Sequence, residues 1–302
     1  MLLPHPAPRA TTTSPDPEPA MTHLPTLVLA ARGKTGRRVA DRLEAAGHPV
    51  RRASRTGATP ETTFDWDDRA TWRAALAGAG AAYVVYTPDL AVPAAPGAIA
   101  AFVELAEELG LGRLVLLSGR GEEEAQAAER LVLDSSIPST VVRASWFNQN
   151  FDEGEFRELV LSGQVALPVG EVGEPFLDVD DLADVAVLAL TEAGHAGEVH
   201  ELTGPCLLTF AEVVAELAAA TGRELTFTRI PRDAFRKGLT EAGMPSEQLE
   251  LLDYLFTTVL DGRNAQVTDD VERVLGRPAK DFRTWAREAA AAKAWDHATQ
   301  EA

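Results

Sequence analysis

An α/β fold with a doubly wound parallel sheet, followed by a smaller C-terminal α/β lobe, is predicted by three features of this 302-residue chain. The first is Thr26 to Val39, TLVLAARGKTGRRV, where an apolar run breaks into a small-residue turn and continues as an amphipathic helix. The second is an alternation of strand and helix with short connections, five times over by Ser118. The third is size and composition: 45% apolar residues in a chain long enough for one large domain or a nucleotide domain with an appended lobe.

In the opening stretch, Leu27, Val28 and Leu29 form an all-apolar strand suited to a sheet buried on both faces. Val39, Leu43 and Ala46 recur at helical spacing until Gly47. Between them, Gly33 admits a pyrophosphate close to the backbone and Gly36 lets helix pack on strand. The N–H groups of the helix N-terminus face the phosphates. Ala30 stands where a first glycine is expected. The motif alone fits dinucleotide binding or an ordinary strand-to-helix turn.

Composition narrows the partners. The formal charge of −18 disfavours nucleic acid, whose phosphates call for clustered Lys and Arg. No apolar run is long enough for a membrane span, and the first residues lack the pattern of a secretory signal, so a cytoplasmic protein is expected. Cys206 is the single cysteine, which excludes an intrachain disulfide and a thiolate metal cluster and suggests a small buried hydrophobe. Residues 1–24 read as a disordered Pro/Thr/Ala-rich tail, with Met21 as a candidate start; 25–155 read as the nucleotide domain, 156–292 as the part that completes the core and forms the lobe, and 293–302 as a polar tail.

Taken in order, His48 to Ser54 is the second strand, ending in Arg51, Arg52, Ser54 and Arg55. An NAD site places a carboxylate here to read the ribose, whereas an NADP site places positive charge and a hydroxyl. Ser54 and Arg55, with Arg32 from the turn, therefore indicate NADP(H). Thr62 to Trp66 reads as a third strand, its end offering Asp65 and Trp66 either to adenine or, as a plain cap and core residue, to the next helix. Ala81 to Tyr86 and Arg113 to Leu117 are the fourth and fifth strands, the latter ending in Ser118 and Gly119. Glu122 to Leu133 reads as a helix whose first-turn carboxylates are solvated at the dipole end. Ser139 to Arg143 is the sixth strand, and Trp146, Phe147, Asn150 and Phe151 follow where a substrate lobe begins, the aromatics either as substrate walls or as a packed junction. Further on, Asp180 or Asp181 caps a helix, Thr209 and Glu212 form a capping box, and Tyr254, Phe256 and Leu260 are candidate pocket walls.

The segments LVLAARGKTGRR, ASR, FDW, LLSG, VVRASWFNQNF and FLDVDDLADVA, in this order, resemble the NmrA-like, atypical short-chain dehydrogenases/reductases, in particular the festuclavine and agroclavine dehydrogenase group and its bacterial relatives. The resemblance runs from about Thr26 to Glu288 and implies a Rossmann-type domain binding NADP(H) with a small-molecule substrate. It places Gly33, Lys34 and Thr35 at the pyrophosphate, Ser54 and Arg55 at the 2′-phosphate, Asp65 and Trp66 near adenine, Thr87 near the nicotinamide ribose and Ser118 at the reacting face. Ala30 and Ala144 depart from its pattern.

The usual proton relay of that superfamily, a tyrosine four residues before a lysine, is excluded by counting. The lysines are Lys34, Lys237, Lys280 and Lys293, and Ala30, Asp233, Gly276 and Ala289 precede them by four. His195 and His200 lack a second ligand group, and no serine sits in a nucleophile elbow. Two readings remain: an oxidoreductase delivering hydride to an iminium or quinone, with Ser118 as the candidate catalytic hydrogen-bond donor and Trp146, Asn150, Phe151 and Tyr254 around the substrate, unless these aromatics are core and Ser118 only caps a strand end, or a catalytically silent NADP sensor acting through protein partners.

Overall fold

The computed structural model describes residues 24–154 and 156–296. The expected N-terminal tail, Met21 included, lies outside the described residues except for Leu24, as do residues 297–302.

β1 (Thr26–Val28) passes through the glycine turn into α1 (Lys34–Ala45), which returns to β2 (Val50–Arg52). The chain then crosses back over β1, through α2 (Trp72–Leu76), to β3 (Ala81–Val84), and proceeds by α3 (Ala95–Glu108), β4 (Arg113–Gly119) and α4 (Ala125–Leu133) to β5 (Ser139–Ala144). After α5 (Arg157–Ser162), β6 (Gln164–Leu167) and α6 (Val179–Thr191), β7 (Val199–Leu202) joins the far edge. The sheet order is β2-β1-β3-β4-β5-β7, with every pair parallel. The lobe comprises β6 paired with β8 (Thr226–Arg229), α7 (Phe210–Thr221), α8 (Arg232–Glu241), α9 (Ser246–Tyr254) and α11 (Phe282–Ala291), while α10 (Asp270–Leu275) packs by β7 and α6.

Alternate residues of β1 face opposite layers, as a doubly covered strand requires. Leu27 joins Phe102, Leu114 and Leu116, while Val28 joins Val39, Leu43 and Leu182. A separate aromatic core of Phe151, Phe156, Phe176, Phe210, Phe256 and Phe282 fills the lobe. The capping box forms as read, with Thr209 Oγ1 accepting from Glu212 N and Glu212 Oε2 from Thr209 N.

Several readings are corrected. The third strand at Thr62 to Trp66 is reduced to a single parallel bridge, Ser54 to Thr63. Pro60–Thr62 coils into a 3-10 turn, and Asp65 turns its backbone away from β2, its carbonyl accepting from Trp72 Nε1 at 2.6 Å and its N–H donating to Thr71 Oγ1 at 3.0 Å. α6 is capped by Asp178, whose Oδ1 accepts from Asp180 N, so Asp180 and Asp181 lie within the first turn. α4 starts at Ala125, leaving Glu122 to Glu124 ahead of it. The polar tail from 293 begins with a turn that buries Trp295, its Nε1 donating to Phe151 O at 2.7 Å. Cys206 is half-buried, with Sγ 3.6 Å from Asp281 Oδ2.

Candidate active site

The chain leaves β1 toward β2 on one side and returns to β3 on the other, so the crevice beyond the carboxyl ends of β1 and β3 is the switch point of the sheet, where open α/β folds place ligands. A cleft of about 380 Å³ opens there. One end is floored by Ala30, Gly33, Lys34 and Thr35, the middle by Tyr86, Thr87 and Ser118, and the far end by Trp146, Phe147, Asn150, Leu255 and Val259. A larger hollow of about 660 Å³ lies by Glu201, Pro205 and Asp270, away from the glycine turn, and none of the expected site residues lines it.

The turn is shaped for close approach. Gly33 is the N-cap of α1 and supplies no side-chain cap, which leaves the first-turn N–H groups of the helix open to an anion. Ala30 adopts φ 49°, the left-handed conformation for which glycine is customary, so this alanine keeps the backbone path of the glycine it replaces. A Cβ on Gly33 would stand 3.2 Å from Ala30 O. This bare, donor-rich cradle fits a pyrophosphate. Lys34 Nζ donates to Asn150 Oδ1 at 2.9 Å, spanning the cleft from the turn to the segment after β5.

At the end of β2, Ser54 is half-buried and Arg55 exposed, and Arg32 reaches the same loop, its Nη1 donating to Thr56 Oγ1 at 3.0 Å. Two neighbouring arginines are committed elsewhere. Arg51 donates to the carbonyls of Ala75 and Ala77 at the C-terminal end of α2, and Arg52 pairs with Asp41 and Glu44 of α1. Trp66 packs on Tyr86 and Phe64 and donates from Nε1 to Val85 O at 3.0 Å, while Asp65 Oδ1 accepts from Asp67 N.

Three expected site residues are placed differently. Ser118 Oγ donates to Glu129 Oε1 at 2.7 Å, so its proton is directed into the layer of α4 rather than toward a substrate. Glu129 is buried and also held by Arg143. Phe151 is fully buried in the lobe core. The hydroxyl of Tyr254 donates to Glu124, and burial with that bond pushes its pKa up; the cleft wall there is Leu255 and Val259 instead. Leu255–Val259 is a π-helical turn, whose wider spacing changes which residues share a face, so Phe256 and Leu260 turn into the lobe core. His195 and His200 are paired, Nδ1 to Nε2 at 3.1 Å, far along the sheet at β7.

Two lining carboxyls escaped sequence reading. Asp89 follows β3 and accepts from Ala91 N at 2.8 Å through Oδ1. Glu122 follows β4, is 7% exposed and faces Asp89, and its buried Oε2 receives no hydrogen bond from a donor among the described residues. A sequence signal existed: glycines precede it at 119 and 121, and the carboxyl lies so close over Gly119 that a Cβ there would be 2.0 Å from Oε1.

No family model matches the chain. Agroclavine dehydrogenase of Claviceps fusiformis is 31% identical over 277 residues, covering 85% of this chain and 94% of its own. Among solved structures, the triphenylmethane reductase of Citrobacter sp., complexed with NADP(H), superposes with TM-score 0.71 at 19% identity, covering 88% of this chain and 99% of that one. NmrA, a negative transcriptional regulator in complex with NAD, superposes with TM-score 0.63 at 18% identity, covering 90% and 97%. The chain belongs to the NmrA-like, atypical short-chain dehydrogenases/reductases. Within that family it is an NAD(P)H-dependent oxidoreductase, with the parallel sheet and switch-point cleft that this chemistry uses.

Proposed function

We propose that the protein is an NADPH-dependent reductase of a small electrophile, an iminium or a quinone. The observation that carries this reading is the continuity of one cleft from the uncapped N-terminus of α1 to the apolar wall of Trp146, Phe147, Leu255 and Val259. The helix N–H groups with Lys34 and Thr35 hold the pyrophosphate, and Ser54, Arg55 and Arg32 surround the 2′-phosphate. Asp65 and Trp66 border the adenine and Thr87 the nicotinamide ribose. When bound, the reduced nicotinamide supplies hydride at the strand ends.

The chain's own contribution is positioning and exclusion of water. Trp146, steadied by Phe156, Phe210 and Phe256, offers a flat wall against which a planar ring can lie. Asn150, fixed by Lys34, offers a polar edge beside it. No Tyr-Lys pair of the usual spacing exists, so an acceptor whose charge is neutralised by hydride, such as an iminium, is favoured over a simple aldehyde. The net charge of −18 steers a cation toward the protein, less so at high salt. This built substrate end favours an enzyme over a silent sensor.

The test is NADPH consumption by purified protein with matched iminium, quinone and aldehyde substrates. Fastest reduction of the aldehyde, or no consumption with any of them despite NADPH binding, would overturn the reading.

A further inference from the structure

We propose that Glu122, set against Asp89, is the proton donor of the cleft, which extends the protein's reach to acceptors such as quinones that gain negative charge on receiving hydride. This rests on the reductase reading above and names the group that stands where the Tyr-Lys relay is missing.

The geometry is specific. Glu122 and Asp89 come from loops at the ends of adjacent parallel strands, β4 and β3, and both line the cleft. Gly121 turns the chain back with φ 79°, and the missing side chain of Gly119 leaves the space that the Glu122 carboxyl occupies. The loop is pinned from the lobe: Asn264 Nδ2 donates to Arg120 O at 2.9 Å, and Arg120 Nη1 donates to Asn264 O at 2.8 Å. The result is a carboxyl more than nine-tenths buried at the wall of the cleft; it faces Asp89, and its Oε2 receives no hydrogen bond from a donor among the described residues. Two buried carboxyls facing one another cannot both ionise cheaply, and Glu122 answers by keeping its proton, which it shares with Asp89 in a hydrogen bond.

Burial, then the charge of Asp89 and the hydrogen bond to it, raises the Glu122 pKa well above the ordinary carboxylate range, with Glu124 and Glu129 adding to the effect. Asp89 is raised as well, by burial. Of the other charged or titratable groups nearby, Tyr254 is bonded to Glu124, the Arg120 guanidinium is turned toward Asn264 and Glu201, and Lys34 is bonded to Asn150.

In the step proposed, hydride from the reduced dinucleotide forms a C–H or O–H bond on the substrate, whose π electrons move to an oxygen. The Glu122 O–H bond breaks and its proton forms the new O–H bond there. Glu122 is left as carboxylate and regains a proton from water, and the dinucleotide is left oxidised, so two electrons and two hydrogens are accounted for.

The test uses Glu122→Gln, nearly isosteric, in three measurements. NADPH titration is expected to give the same Kd within twofold. The quinone-to-iminium ratio of kcat is expected to fall at least tenfold, with loss of the limb in the wild-type pH profile that declines as the donor ionises. In ligand-free protein labelled at glutamate carboxyl carbons, NMR titration of the wild type is expected to show one resonance shifting well above the ordinary range that the variant lacks. An unchanged ratio and pH limb, or a Glu122 resonance titrating in the ordinary range, overturns the proposal. Failure of wild-type protein to bind NADPH overturns the reductase reading instead, and leaves the NMR result to decide the state of Glu122.

Discussion

A Cβ on Gly36 would stand 2.4 Å from the carbonyl oxygen of Ala30 and 2.8 Å from that of Leu29. Helix α1 thus meets the end of β1 backbone to backbone, which sets the height of the open helix N-terminus above the cleft. Gly36→Ala is expected to destabilise the protein by about 1–3 kcal/mol through overpacking. Urea unfolding measures this, and a variant as stable as wild type would show that the turn shifts freely.

Cofactor choice is expected to rest on Ser54 and Arg55. With no carboxylate at the end of β2 and an exposed guanidinium there, NADPH is expected to bind more tightly than NADH. Arg55→Ala is expected to cost about 1.5–3 kcal/mol of NADPH affinity, roughly ten- to a hundredfold, with little effect on NADH. Calorimetric titration of both nucleotides reads it; equal affinities in the wild type contradict the assignment.

Stability is expected to decline as pH rises through neutrality. Burial pushes Glu174 up to about 7, although Arg120 and the Trp146 N–H pull the other way. Because the folded-state pKa lies above the unfolded one, its contribution is fully present below the ordinary glutamate pKa and is lost as pH climbs through about 7. The shift corresponds to about 3 kcal/mol by linkage. Glu174→Gln is expected to flatten the fall in Tm between acidic and mildly alkaline pH. Asp152, also pushed to about 7 by burial, leaves a residual slope. Parallel wild-type and variant curves would argue against this.

Ser118→Ala is expected to show as lost stability. The serine donates to a buried carboxylate that Arg143 holds on its other side. Removing a hydrogen bond to a charged group costs about 1.5–3 kcal/mol. Denaturant midpoints at pH 7 check it, and an unchanged midpoint means the Glu129 site repacks without cost.

Trp295→Ala is expected to lower stability by about 3–5 kcal/mol, the range for a buried aromatic. Its ring packs edge-on to Trp285 and its indole N–H is bonded to Phe151 O. A melting temperature within error of wild type would show that the Trp295 anchor contributes nothing to stability.

By itself the sequence determined what depends on neighbours along the chain. The apolar run of Leu27 to Leu29, the glycines at 33 and 36, the helical spacing of Val39 and Leu43 and the capping box at Thr209 express strand, turn and helix locally, and all form. Order and spacing of such units were enough for the parallel sheet and its family. Only the tertiary structure decided which side chains reach the cleft, because burial and direction are set by residues far away in the chain. Trp72 and Thr71 bend the would-be strand at Asp65; Glu129 takes the Ser118 proton; a π-helical turn puts Leu255 in the wall where Tyr254 was expected. Glu122 shows the limit most sharply. In sequence it is the first of three consecutive glutamates, a pattern that reads as solvated charge; in the fold, Asn264, 142 positions later, pins its loop, and the carboxyl is enclosed beside Asp89. Desolvation is a property of the enclosure, and no local pattern of residues encodes it.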